Sequence, residues 1–182
     1  APGTADRRMQ WMTQRTQTGL EYTVAVGSSR TGDETLVAVS IAAGNAADSR
    51  MQATARIDAA LAEGYEPRRA RHAKWWSDFW GRSSVSIPDA GLQRHYDLCK
   101  YFYGAASAPD APPIPLQGVW TCDNGDLPPW KGDYHNDLNT QMTYLAYPAA
   151  GLFEQGMSWL NFNTRLLQQY RSFARGFYGV GG

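Results

Sequence analysis

The hydrophobic pattern of this sequence changes its period near residue 50, and this change restricts the chain to folds that place strands before helices. Residues 19–26, GLEYTVAV, alternate between apolar and other side chains, while TLVAVSIAA at 35–43 is apolar and β-branched. Both patterns predict strands, joined by the turn-rich SSRTGDE. From Met51 the apolar residues recur at helical spacing as far as Gly64, a residue typical of helix ends.

Further helices are expected after residue 64. A second helix is predicted to begin at Pro67 and to run to Trp80. Its basic stretch, RRARHAK, is interpreted as a solvated helix face rather than a binding patch. Asp89 is a suitable N-cap for a third helix, in which an apolar stripe from Leu92 to Tyr103 is expected to be buried.

Two consecutive irregular stretches then precede the last helices. Residues 107–115, SAPDAPPIP, contain four prolines, and residues 116–137 are interrupted by Gly, Asn and Pro. The closing residues, 157–177, follow the pattern of a long amphipathic helix. We interpret the whole order as the end of an all-β domain that leads into the start of an all-α domain.

Composition and charge exclude several classes of function. The 17 basic residues balance 17 acidic ones, so the chain lacks the positive field that attracts nucleic acid or an anionic membrane. No apolar run is long enough to span a bilayer, and APGTADRRMQ carries no signal core. Cys99 and Cys122 are interpreted as buried thiols, although their spacing leaves a disulfide open.

The segment PPWKGDYHNDLNTQMTY, residues 128–144, has the composition of a polar site. Within seven residues it places two carboxylates, an imidazole and two amides beside Trp130 and Tyr144. Cleavage of a glycosidic bond needs paired carboxyl groups, hydrogen-bonding groups for hydroxyls, and aromatic rings for the apolar face of a sugar. The residues in and before this segment that suit such chemistry are Gln117, Trp120, Trp130, Asp133, His135, Asn136, Asp137 and Asn139.

Other interpretations of these residues remain open. Asp133 and Asp137 could cap the helix that starts near Asn139, and the tryptophans could fill a core. A metal site that uses His135 with the two aspartates is conceivable, because alternating positions on an extended segment point the same way. We rank it below sugar chemistry. The loop could also pack between domains with no ligand. We expect no metal and no cofactor.

Three sequence runs resemble glycoside hydrolase family 95, the inverting α-L-fucosidases and related α-L-galactosidases. They are WWSDFWGRSSVSIPD at 75–89, IPLQGVWTCDNGDLPPWKGDYHNDLNTQMTYL at 114–145, and the following PAAGLFEQG. In that family a β-sandwich is joined by linker helices to an (α/α)6 barrel. The resemblance therefore implies a mainly α fold, with the last strands of a β-sandwich in 1–48, a helical linker in 49–88 and the first barrel helices in 89–182.

The resemblance also implies catalytic roles. The family uses paired asparagines to position the attacking water, with help from a downstream aspartate. Asn139 matches one of the pair, while Asp137 stands in place of the other, where a carboxylate could accept the proton of the water directly. Gln117, Trp120, Trp130, Asp133 and His135 are then expected to bind the substrate. YLAYPAA also departs from the family's tighter Tyr-Trp-Pro run, so the floor of the pocket is expected to differ.

These residues form one wall of a site, because the general acid of the family lies far downstream of the matching motif. We therefore expect inverting hydrolysis of a terminal bond in an oligosaccharide or polysaccharide, completed by the remainder of the barrel. The isolated chain is expected to be inactive. The alternative is a glycan-binding module without catalysis. By analogy with polymer-degrading enzymes of this type, a secreted or periplasmic location is expected.

Overall fold

The computed structural model describes residues 6–116, 118 and 129–181 of the chain. The chain divides into two compact units, residues 1–75 and residues 76–182. The first contains the strands and the second most of the helices, in the order that the sequence predicted. None of the described helices is long and apolar enough to cross a membrane.

The first unit contains a three-stranded antiparallel sheet in the order β1-β2-β3. β1 is Asp6–Arg15, β2 is Glu21–Thr31 and β3 is Glu34–Gly44. β2 and β3 lie where the sequence predicted strands. β1 was missed, because its arginines and glutamines obscure the alternation of apolar residues.

Helix α1, Ala46–Glu63, packs on one face of this sheet. The side chain of Asn45 caps its first turn by accepting the backbone N–H of Asp48 at 2.9 Å. The sheet residues beneath it are small, because the helix approaches closely: a Cβ added to Gly27 would lie 2.2 Å from Cγ2 of Ile57. The buried core is Ala25, Ala42, Ala53, Ile57 and Leu61.

The other face of the sheet is apolar and exposed. Val26 of β2 is paired with Val39 of β3, and the neighbouring positions of this face carry further large apolar side chains. Val39 is 65% exposed. The exposed apolar residues of this open sheet face are Met12, Val26, Val37, Val39 and Ile41.

Helix α2, Tyr65–Gly81, begins two residues before the predicted Pro67. Its arginines form exposed ion pairs: Arg69 contacts Glu66 at 3.0 Å, and Arg68 and Arg71 both contact Glu63. The hydrogen bond from Arg71 is the main reason that the pKa of Glu63 is lowered. The structure therefore agrees with a solvated basic face on this helix.

Five further elements of the second unit are described. Helix α3 is Ala90–Ala106, and Asp89 caps it as predicted, accepting the backbone N–H of Leu92 at 2.9 Å. A 3-10 turn, Pro129–Gly132, precedes α4, Leu138–Tyr144. Helix α5, Phe153–Phe173, continues into a π-helical turn, Ala174–Tyr178.

The core of the second unit is centred on Tyr144, whose side chain is 1% exposed. Its hydroxyl accepts the backbone N–H of Ile114 at 2.7 Å and shares hydrogen bonds of 3.0 Å with Ser107 and Ser158. These contacts connect α4 and α5 to the proline-rich stretch. Tyr103, Phe79 and Leu152 complete the buried cluster.

The predicted stripe on α3 was only partly correct. Leu92 and Cys99 are exposed, so Cys99 is not the buried thiol that was expected, whereas Tyr103 is buried. The other buried residue of this helix is Lys100, 4% exposed. A long aliphatic stem allows a lysine to occupy such a position when its ammonium group finds acceptors.

Two backbone carbonyls supply those acceptors for Lys100. Its Nζ donates to the carbonyl of Trp80 at 3.1 Å and to that of Ser83, and it lies over the rings of Phe79 and Trp80. Burial lowers the pKa of Lys100, while the charge of Asp97 opposes that shift. The side chain thus satisfies one carbonyl in the last turn of α2 and one just beyond its C-terminal end, where a positive charge is favoured.

The apolar residues of α5 do not form one continuous buried stripe. Phe153, Leu167 and Phe173 are exposed, and the buried side of the helix is formed by Gln155, Gly156 and Ser158. A Cβ added to Gly156 would lie 2.3 Å from the ring of Tyr147. Gly156 and Ser158 therefore permit close packing on one side of α5, while several of its large apolar residues face outward.

Candidate functional site

The candidate site is the segment from the 3-10 turn to the start of α4. Backbone hydrogen bonds fix its course: Asp133 N–H donates to the carbonyl of Trp130 at 2.9 Å, and Leu116 N–H donates to the carbonyl of Asp133 at 3.1 Å. The N–H of Thr140 donates to the carbonyl of His135 at 3.0 Å. The segment is therefore bound to the preceding loop and to its own helix.

Asp137 and Asn139 stand at the start of α4 with exposed side chains. Asp137 occupies the N-cap position of that helix, yet its side chain makes no capping hydrogen bond. The capping interpretation therefore does not account for this carboxylate. An exposed carboxylate two residues from an exposed carboxamide can accept a proton from water and hold that water by hydrogen bonds.

Trp130 is displayed to solvent rather than buried in a core. The residue is 65% exposed, which does not fit the core-filling interpretation for Trp130. Its backbone has φ of 63°, the left-handed region that a bulky side chain rarely adopts. The ring meets that of His135 edge to face, with 5.4 Å between centroids, and His135 is half-buried. Asp133 is exposed.

Asn136 points toward α5 and contacts three side chains of that helix. Its Oδ1 accepts the indole N–H of Trp159 at 3.1 Å. Its Nδ2 donates to Oδ1 of Asn163 at 2.7 Å and to the hydroxyl of Tyr170 at 2.5 Å. The sequence analysis grouped Asn136 with the residues suited to sugar chemistry. Its carboxamide is hydrogen-bonded to side chains of the protein itself.

Two neighbouring residues were not singled out by the sequence. The hydroxyl of Tyr134 donates to the carbonyl of Pro113 at 2.7 Å, and burial raises the pKa of Tyr134. Thr140 is 2% exposed, and its hydroxyl has no hydrogen-bond partner among the residues that the structure describes. The sequence did not indicate which residues in 134–140 are buried. This segment is neither a strand nor a full helix, so its buried positions follow no regular period.

Five of the seven predicted site residues lie in the described part of this segment, where the rings of Trp130 and His135 are in contact: Trp130, Asp133, His135, Asp137 and Asn139. Gln117 and Trp120 lie outside the described residues. Within the described ranges, no three His, Cys, Asp or Glu side chains are close enough to share a metal ion. The alternative metal site of His135 with the two aspartates is therefore not formed.

Comparison with known proteins places most of the chain in one family. The family model described as "Glycosyl hydrolase family 95 catalytic domain" matches residues 56–182. A curated protein from Aspergillus niger, "Probable alpha-fucosidase A", is 39% identical over 59 residues. That alignment covers 32% of this chain and 7% of the relative, so the chain spans a small part of that protein. No solved structure matches the chain.

Proposed function

The chain belongs to glycosyl hydrolase family 95, and from this premise we propose that it forms one wall of the active site of an inverting exo-glycosidase. The observation that carries the proposal is the exposed, uncapped carboxylate of Asp137, two residues before Asn139 and within the matched region. The substrate would be a terminal glycosidic bond in an oligosaccharide or polysaccharide.

Asp137 would act as the general base. In an inverting mechanism a carboxylate takes the proton of a water while that water attacks the anomeric carbon, and a carboxylic acid on the opposite side protonates the leaving oxygen. The carboxamide of Asn139 would orient the same water by hydrogen bonding. The general acid would lie about 6.5–9.5 Å from the base, the separation typical of inverting enzymes.

The remaining site residues would bind the sugar. The exposed ring of Trp130 offers a flat apolar surface, and its strained backbone is the kind of feature that is retained where a side chain must be displayed. His135 and Asp133 would hydrogen-bond hydroxyl groups. Gln117 and Trp120 are proposed as a further polar contact and a further stacking wall.

The preferred sugar is proposed to be L-fucose or a close relative. The name of the Aspergillus niger relative supports this class of substrate. The carboxylate of Asp137, however, stands where the family resemblance leads us to expect an asparagine. A negative charge beside the sugar would change which hydroxyl arrangement is bound best, so related α-glycosides belong in the same test.

The finer architecture is also a proposal. The strands of the first unit would form the edge of a β-sandwich, and the helices of the second unit would begin an (α/α)6 barrel. The open sheet face and the exposed apolar residues of α5 support this arrangement, because surfaces of this kind are normally covered by another layer. The remainder of the barrel would be the covering partner of α5 and would supply the general acid, so residues 1–182 alone would be inactive.

Hydrolysis of aryl glycosides by the full-length protein tests the proposed function. Aryl α-L-fucoside, α-L-galactoside and related glycosides would be compared for the wild type, the Asp137→Asn variant and a matched Asp58→Asn control on α1. Loss of the general base should lower kcat by about 10²- to 10⁴-fold, whereas Asp58→Asn should leave the rate unchanged.

Three results would contradict parts of the proposal. An undiminished rate for Asp137→Asn would show that Asp137 is not the general base. If tryptophan fluorescence shows that the wild type binds a sugar but the sugar is not hydrolysed, the protein would be a glycan-binding module. A flat fluorescence response to every glycan, with no turnover, would leave the loop with a packing role.

A further inference from the structure

The contacts of Asn136 form a closed and directional hydrogen-bond network. Nδ2 of Asn136 has two hydrogens, and it donates to both Asn163 and Tyr170. The hydroxyl of Tyr170 accepts one of these bonds and donates to Oδ1 of Asn163 at 3.0 Å. Nδ2 of Asn163 donates to the backbone carbonyl of Trp159 at 2.9 Å. Every donor and acceptor role is therefore consistent, with no competing arrangement of these bonds.

The helix partners of this network share one side of α5. Positions 159, 163 and 170 are separated by four and seven residues, so their side chains lie in one row. The indole N–H of Trp159 donates to Oδ1 of Asn136. The Asn136 carboxamide is thus held on both its oxygen and its nitrogen by a single rigid element.

Asn136 sits at a position where such an anchor controls the candidate catalytic groups. It directly precedes Asp137 and lies three residues before Asn139. The hydrogen bond from Thr140 N–H to the carbonyl of His135 closes the backbone around it. The side chain of Asp137 has no capping bond of its own. Its placement therefore depends on the backbone that Asn136 fixes.

We propose that Asn136 is a positioning residue, which holds the proposed base and water-orienting amide in a fixed relation to α5 through Trp159, Asn163 and Tyr170. This inference rests on the proposed function of Asp137 and Asn139. It assigns to Asn136 no contact with the sugar. The network acts because small displacements of a catalytic group lower the rate of reaction steeply while substrate binding is maintained elsewhere in the site.

The test uses four variants of the full-length protein. Asn136→Leu removes every side-chain bond that Asn136 makes in the network, at similar side-chain size. Tyr170→Phe removes only the hydroxyl, at a partly exposed position where folding should be preserved. Asn163→Asp keeps the acceptor oxygen that Asn136 uses but removes the donor to the carbonyl of Trp159. Asn161→Asp is the matched control, because Asn161 is also on α5 but donates to the carbonyl of Pro109 instead.

Two readouts separate a positioning role from a merely structural one. We expect Asn136→Leu to lower kcat by about 10²-fold with little change in KM, since about 1 Å of misplacement can have that effect. Tyr170→Phe and Asn163→Asp should each lower kcat by a smaller factor, while Asn161→Asp should stay near the wild type. Hydrogen–deuterium exchange in peptides that cover 136–142 should become faster in Asn136→Leu. It should stay unchanged in the Asn161→Asp control.

The outcomes are distinguishable from failure of the proposed function. Full kcat in folded Asn136→Leu and in Tyr170→Phe would overturn the positioning role even if the wild type is an active glycosidase. If the wild type turns over no glycoside, the proposed function fails. Exchange over 136–142 then still decides whether Asn136 anchors the segment: unchanged protection in Asn136→Leu overturns the anchor, and faster exchange supports it.

Discussion

At the scale of single residues, the second unit contains two buried tyrosines whose hydroxyls differ completely. Tyr103 and Tyr144 meet edge to face, with 5.9 Å between ring centroids. The Tyr144 hydroxyl has three partners, whereas that of Tyr103 has none among the described residues. Burial raises the pKa of Tyr103, which keeps its unpaired hydroxyl protonated.

We expect Tyr144→Phe to lower the free energy of unfolding by about 2 to 3 kcal/mol, because it leaves the buried N–H of Ile114 without an acceptor and breaks two further bonds. Tyr103→Phe should leave stability unchanged or slightly raised, because it removes a polar group that was buried without a partner. Urea unfolding at pH 7 measures both. Equal losses in the two variants would contradict this account.

Sequence reasoning succeeded at some residues and failed at others for physical reasons. Asp89 was correctly predicted as a cap, because capping depends on local backbone geometry. Tyr144 was grouped with a polar site, although it is the centre of a core. Its burial depends on Ser107 and Ile114, which are distant in sequence and gave no local signal. Lys100 was missed for the same reason.

At the scale of elements, glycines determine how closely the helices of this chain pack. Gly156 in α5 is buried against the ring of Tyr147, and its N–H donates to the carbonyl of Leu152. Such close approach is invisible to hydrophobic periodicity, which predicted an amphipathic helix over 157–177 without indicating that Gly156 would be buried. Leu167 and Phe173, two of the apolar residues in that pattern, are exposed.

Gly156→Ala should lower the free energy of unfolding by about 1 to 3 kcal/mol, because the new methyl group would overlap the Tyr147 ring. Gly81→Ala is the matched control: it is also in the second unit, and its added Cβ meets nothing within 4 Å. Thermal unfolding of both variants checks the prediction. A stable Gly156→Ala variant would mean that this part of α5 packs less closely than described.

At the scale of the whole molecule, the order of elements was predictable and the full set of contacts was not. Periodicity correctly placed two strands before the helices, because it depends on neighbours within a few residues. The site segment was recognised from residue types and family resemblance. The division of its residues between display, as for Trp130, and anchoring, as for Asn136, depends on α5 and required the structure.

The proposed β-sandwich makes a prediction about the open sheet face. Val39→Lys should lower the melting temperature of the full-length protein, because a covered position cannot accommodate a lone ammonium group without loss of stability. Thr31→Lys, at an exposed position at the end of the same hairpin, should have no effect. Differential scanning calorimetry compares them. An unchanged melting temperature for Val39→Lys would show that this face meets solvent in the full-length protein.

The ammonium group of Lys100 gives the protein a built-in chemical reporter. The sequence contains three lysines, and this one is enclosed by the carbonyls of Trp80 and Ser83. An acylating reagent needs a free, deprotonated amine, so it should modify Lys100 only when α2 and α3 separate. The time course of labelling at this position, read by peptide mass spectrometry, would therefore give the opening rate of that helix pair without any engineered probe.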